Sequence, residues 1–391
     1  MIRSLSANTV ANTAGKKSLV VRVRTDKGFF FASVPTGTSK GRHEAKSLPI
    51  RRELSVFSRI REKFVGLDIK EWKKIDRLIQ KIDGTKDFRK IGIDNALAIS
   101  IAVARAATKN SLWKLGGKRR FPFPAGNIIG GGAHRGGSDW QEFLVIPTKA
   151  KNPAEALETL KSVWRDTHSI LRKKGVLLGH NMEHANMARL DEVKSLDILS
   201  RVAEDHGTRV GVDVAASNFW KRKSYMYKKS RETMKPLEHF DFVLELAEKY
   251  RLAYIEDPFH EEDFKSHTLL TKKIGRKALI VGDDLYTTNE SRLRKGVRMK
   301  STNSMIIKPN QRGTVSQVLN VISLARKNRI STVPSHRSEE TPDDWIADFA
   351  VGSGSPLIKI GLGDMEKHRR LIKLWKTIPK PKMAVLKAFK Y

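Results

Sequence analysis

"FDFVLELAEKYRLAYIED", Phe240 to Asp257, joins a helix to a strand in a unit that the chain repeats. Its first eleven residues place apolar side chains at helical spacing, and Leu252 to Ile255 form a short apolar run that reads as a buried strand. The run ends on Glu256 and Asp257. A buried strand does not end on paired carboxylates unless a cation balances them. The same unit recurs on both sides: "TRVGVDVA" (208–215), "ALIVGDD" (278–284), "SMIIK" (304–308), "ISTVPSH" (330–336) and "PLIKIG" (356–361) are further strands. Helical stretches separate them, among them a helix over 152–174, "TVSQVLNVISLARKN" (314–328) and "DDWIADFAVGS" (343–353). Strands alternating with helices over about 250 residues predict a barrel of parallel strands. The structural alternative is an open doubly wound sheet, but no strand opens onto a phosphate-binding glycine fingerprint.

Upstream the rhythm differs. "KSLVVRVR" (17–24), the turn "TDKG" (25–28) and "FFFASV" (29–34) predict a hairpin, and helices follow over 50–64, 68–82 and 90–108. The Gly- and Pro-rich "LGGKRRFPFP" (115–124) marks a boundary near residue 118, giving domains 1–118 and 119–391. "IGIDNALAISIAVARAA" (91–107) carries Asp94 and Arg105, so it is expected as a buried helix, not a membrane span.

The 391 residues are 39% hydrophobic and 30% charged and include no cysteine. Disulfides and thiolate metal sites are thereby excluded, any metal must sit on oxygen or imidazole, and a cytoplasmic location is expected. With 75 Lys and Arg against 42 Asp and Glu, the net charge is +33. Such a balance suits a polyanion or an anionic substrate. The bases are spread along the chain instead of forming one tail, which predicts a solvated basic surface with weak, non-specific nucleic-acid binding at most. The first acid is Asp26, so the N-terminus resembles a basic transit segment in charge, but it leads directly into the strand at 17–24.

The last residues of the strands are Asp213, Glu256, Asp283 with Asp284, Lys308, His336 and Lys359. In a barrel these positions converge on one mouth. Three carboxylates without thiols predict a hard divalent cation, magnesium, on Asp213, Glu256 and Asp283. Lys308 is expected to lose basicity beside the cation and Lys359, becoming a usable base.

These residues lie in motifs that resemble the enolase family: "VPTGTSKGRHEA" (34–45), "QEFLVIP" (141–147), "GVDVAAS" (211–217), "YIEDPF" (254–259), "VGDDLYTTN" (281–289), "IIKPNQRGT" (306–314), "VPSHRSEET" (333–341) and "LIKIG" (357–361). The resemblance implies a small α+β capping domain before an irregular eight-stranded α/β, TIM-like barrel. It implies two magnesium ions, the first on Asp213, Glu256 and Asp283 and the second joined by Ser39. Lys308 matches the base that removes the carbon-2 proton of 2-phosphoglycerate, and Lys359 the lysine facing the substrate carboxylate. Arg337 and Ser338 match phosphate ligands, His134 and His336 line the pocket, and Gln141 and Glu142 match a substrate contact and a member of the acid relay. The resemblance also implies a homodimer or higher homo-oligomer.

The chain departs from the family where the proton-donating acid belongs. In "VLLGHNMEHANMARL" (176–190), matching on Gly179 sets the acidic pair on His180 and Asn181. Glu183 is expected to take the donor role, with His180 and His184 as alternatives. Smaller departures are "NTAGKKS" (12–18), "GGGAHR" (130–135), Asn218 and "SEET" (338–341). Three functions follow: an enolase, an enolase-fold enzyme acting on another acid, and a non-catalytic binder such as an RNA binder.

Overall fold

Alternation in residues 17–24 buries Leu19, Val21 and Val23 on one face of the strand Lys17–Thr25. The computed structural model, which describes residues 1–37, 41–134 and 136–386 apart from the His134 side chain, pairs this strand with Gly28–Ser33 in the expected hairpin. A third strand, Ile2–Ala11, pairs along the other edge. The sequence reading missed it because its buried positions do not alternate. Three helices follow, Ile50–Ile60, Trp72–Asp83 and Ile93–Thr108. The last is buried on every side from Ile93 to Ala104, as expected for an inner helix. It shares one apolar core with Val21 on one side and Val315 and Phe349 on the other, so packing continues across residue 118.

The barrel strands, in chain order, are Phe123–Gly130, Glu142–Ile146, Arg209–Asp213, Tyr254–Glu256, Leu279–Gly282, Ser304–Ile307, Ser331–Pro334 and Leu357–Lys359. The eighth pairs with the first, while the seventh reaches the eighth through a single bridge between Ser335 and Lys359. The expectation of parallel strands throughout is corrected at one place. Glu142–Ile146 runs antiparallel to both neighbours. Among its described residues the connection before it holds a 3-10 turn, Gly132–His134, and no crossover helix, so the chain returns antiparallel. Its first residue, Glu142, therefore lies beside Asp213 at the mouth.

One edge of the long first strand is divided. Residues 123–125 pair with the eighth strand, and residues 129–130 pair with Asn186–Ala188 of a hairpin whose other arm is Leu177–His180. That hairpin is the altered segment, and this pairing sets it at the barrel mouth. Among the described residues, no helix is long and apolar enough to cross a membrane.

Candidate active site

Short strands place the expected side chains together. Lys359 Nζ donates 2.8 Å hydrogen bonds to Asp213 Oδ2 and Glu256 Oε2 and lies 3.1 Å from Glu142 Oε2. Lys308 Nζ donates to Asp283 Oδ2, and Gln311 Nε2 donates to Asp283 Oδ1 at 3.2 Å. Gln141 Nε2 reaches Asp213 Oδ2 at 3.3 Å. All these acids are buried.

The electrostatics follow from that crowding. Burial, then Asp213, pushes the Glu256 carboxyl up to about 8 against the pull of Lys359. Asp283 is held down despite burial, because Lys308 is beside it. Burial works against charge on Lys359, but Asp213, Glu142 and Glu256 hold its ammonium well above the ordinary range. Lys308 is set by opposing neighbours. Burial lowers its pKa, yet Asp283 outweighs burial, Arg337 and Lys359, so the protein's own groups leave it above its usual value.

The donor set suits a hard cation. Glu256 Oε1 is buried with no hydrogen-bond partner among the described residues, and the available ligands are carboxylate oxygens. Asp257, Asp283 and Asp284 also group closely, with oxygens within 4.8 Å of one another. Asp257 is already engaged, accepting from the backbone N–H groups of Asp283 at 2.9 Å and Asp284 at 2.6 Å. It orients the Asp283 loop. Burial followed by neighbouring acids raises both Asp257 and Asp284, the latter to about 7.

On the capping-domain side, Arg337 is buried against Glu44, with Nη1 3.1 Å from Glu44 Oε2 and 3.0 Å from Asn310 Oδ1. The sequence reading did not single out Glu44, although it lies within "VPTGTSKGRHEA". Ser338 is half-buried, and its carbonyl accepts from Thr13 Oγ1 at 3.3 Å. Ser39 lies outside the described residues, and His134 is described only by its backbone, in the turn Gly132–His134.

In the altered hairpin only one carboxylate turns inward. Glu183 is 6% exposed, accepts from Asn127 Nδ2 at 3.1 Å and lies 3.8 Å from His336 Nε2. His180 is exposed and packs on His168 and Trp164, and the carbonyl of His184 accepts from Trp164 Nε1. Asn181 Oδ1 accepts from the N–H groups of Glu183 at 3.0 Å and Ala185 at 2.9 Å, building the turn that aims Glu183.

Comparison with known proteins settles the relationship. The family description "Enolase, N-terminal domain" matches residues 2–115, and "Enolase, C-terminal TIM barrel domain" matches residues 118–379. The chain belongs to the enolase family. It is 36% identical to an enolase of Methanosphaera stadtmanae over 411 aligned positions, covering 99% of each chain. An enolase of Archaeoglobus fulgidus is 33% identical, over 99% of this chain and 100% of its own. One from Pyrobaculum aerophilum reaches 37% over 88% of this chain and 86% of its own. Family membership accounts for the strand-end acids and lysines sharing one mouth.

Proposed function

We propose that the protein is a phosphopyruvate hydratase, a hydro-lyase that reversibly dehydrates 2-phosphoglycerate to phosphoenolpyruvate in glycolysis and gluconeogenesis. The observation that carries this reading is the meeting of Asp213, Glu256 and Asp283 with Lys308 and Lys359 at one barrel mouth, in a chain that aligns with enolases along nearly its whole length.

Asp213, Glu256 and Asp283 would hold one magnesium ion, and Ser39 would join a second. When bound, these ions supply stabilisation of the charge that develops on the substrate carboxylate. Lys308 takes the carbon-2 proton, and Lys359 faces the carboxylate. Arg337 and Ser338 bind the phosphate, which competes with Glu44 for the guanidinium. Gln141, His134 and His336 line the pocket. Glu142 and Glu183 are assigned to protonating the hydroxyl as it leaves. The division at residue 118 separates a capping domain from the catalytic barrel, and the molecule is a cytoplasmic homodimer or higher homo-oligomer.

Exchange of the carbon-2 proton of 2-phosphoglycerate for deuterium tests the reading. Lys308→Ala is expected to abolish exchange. Exchange at the wild-type rate would place the base elsewhere.

A further inference from the structure

His336 is flanked by carboxylates on both ring nitrogens. Nδ1 lies 2.5 Å from Asp364 Oδ2, and Nε2 lies 3.8 Å from Glu183 Oε1. The three side chains are 4–5% exposed. Each carboxylate is fixed from behind. Asp364 Oδ2 also accepts from the Gly361 N–H at 2.9 Å, and Asp364 Oδ1 lies 3.9 Å from Lys367 Nζ. Glu183 is fixed through Asn127 and through its carbonyl, which accepts from the Gly363 N–H at 3.2 Å.

We propose that Asp364, His336 and Glu183 form a proton relay serving the leaving hydroxyl, with Asp364 as the residue that positions and charges His336. The proposal rests on the hydratase reading above. It fills the role left open where His180 and Asn181 replace an acidic pair, since His180 faces outward and Asn181 is committed to the turn.

The charges facing His336 support the assignment. Burial alone would strip the imidazole of its second proton. Asp364 first, then Glu183 and, more distantly, Glu142 outweigh burial and raise His336 to about 9. Burial would raise Asp364, but His336 and then Lys367 hold it down to about 2. His368 packs behind Asp364, its burial driving it down to about 4 and keeping it neutral. The Lys359 carbonyl accepts from the His336 N–H at 3.0 Å. The transferable proton therefore sits on His336 Nε2.

The step balances. Lys308 takes the carbon-2 proton, the freed electron pair forms the carbon 2–carbon 3 double bond, and the carbon 3–oxygen bond breaks with its pair on oxygen. The proton moves from His336 Nε2 to Glu183 Oε1 and from Glu183 to the leaving oxygen, which departs as water. His336 is left neutral, with its Nδ1 proton shared with Asp364. Solvent then takes the Lys308 proton and returns one to His336. The 3.8 Å gap to Glu183 needs to close by about 1 Å, in keeping with catalytic hydrogen bonds that tighten once substrate is bound.

The test combines histidine NMR titration of the full-length protein with kinetics of Asp364→Asn and Asp364→Glu. The wild-type His336 ring is expected to titrate well above the free value of about 6.5. In Asp364→Asn it should fall below that value, while dehydration at pH 8 drops about 10-fold or more and carbon-2 exchange drops far less. The rate loss with rising pH should move to lower pH in Asp364→Asn and partly return in Asp364→Glu, a shift that simple loss of packing does not produce. Wild-type His336 titrating near 6.5, or an Asp364→Asn enzyme with wild-type dehydration and an unchanged pH profile, overturns the relay. The two readings fail separately: absence of carbon-2 exchange in the wild type overturns the hydratase reading, whereas the imidazole titration alone decides whether Asp364 charges His336.

Discussion

Glu53 shows how far one buried carboxyl can set the pH response of this protein. It lies in the helix Ile50–Ile60, accepts from the Leu48 N–H at 2.9 Å, and leaves Oε2 buried without a hydrogen bond among the described residues. Burial, then Asp94, raises it to about 8 from 4.5. Between those values the unfolded chain ionises this group while the folded chain keeps it neutral. Its contribution to stability is therefore present below pH 4.5 and lost as pH rises toward 8. Glu53→Gln should match or exceed wild-type Tm at pH 8.5 and lose that advantage at pH 4.5. Parallel Tm-versus-pH curves for the two proteins would contradict the assignment. Gly37 makes a second case. A Cβ there would lie 2.1 Å from Arg337 Nη2, so Gly37→Ala should disturb the Arg337–Glu44 pair and lower kcat/KM for 2-phosphoglycerate by about 10-fold. Steady-state kinetics check it, and an unchanged kcat/KM would show that the guanidinium position is not critical. The strand-end acids and lysines were legible because an apolar run ending in charge is a local signal. Asp364 and Glu44 were not, since each sits on a connecting segment and acquires meaning only from a partner far along the chain. Glu142 was reached through the family motif alone, because its antiparallel strand brings a first residue to the mouth.

The hairpin Leu177–His180 and Asn186–Ala188 carries Glu183 into the site. Its arms are four and three residues long with a register irregularity, so "VLLGHNMEHANMARL" carries no strand period and reads as a loop. What holds it is specific. Asn186 Nδ2 donates to the Ile128 carbonyl at 3.1 Å, and Asn181 ties the turn around Glu183. Asn181→Ala removes two bonds to backbone donors and should destabilise the turn by about 1–3 kcal/mol. Faster amide exchange at Glu183 and Ala185, with dehydration reduced more than carbon-2 exchange, is the expected result. Unchanged amide protection would mean that strand pairing alone holds the hairpin.

The capping sheet, inner helix and part of the barrel share an apolar core, and ion pairs join them at its edge. Arg105 of the inner helix bonds Asp343 Oδ1 and Asp344 Oδ1 at 2.6 Å each. Arg105→Ala leaves the mostly buried Asp343 without its charge partner and should cost about 3 kcal/mol. Because the core is continuous, calorimetry should show one transition shifted down as a unit, whereas two separating transitions would show that the domains unfold independently. The alternation of strands and helices made the barrel legible, but the antiparallel second strand and the single closing bridge depend on connection length and pairing that periodicity does not encode. The +33 charge belongs to the molecule as a whole. Any nucleic-acid binding it causes should be independent of sequence and fall steeply between 50 and 200 mM salt, roughly as counterion release requires. Tight, selective RNA binding at physiological salt would contradict that. Dehydration itself can be followed optically. The measurement adds 2-phosphoglycerate and magnesium to purified protein and records the ultraviolet absorbance of the enol product. A saturable, magnesium-dependent rise that Lys308→Ala abolishes is expected, and a flat trace from folded wild-type protein would mean that the chain does not dehydrate 2-phosphoglycerate.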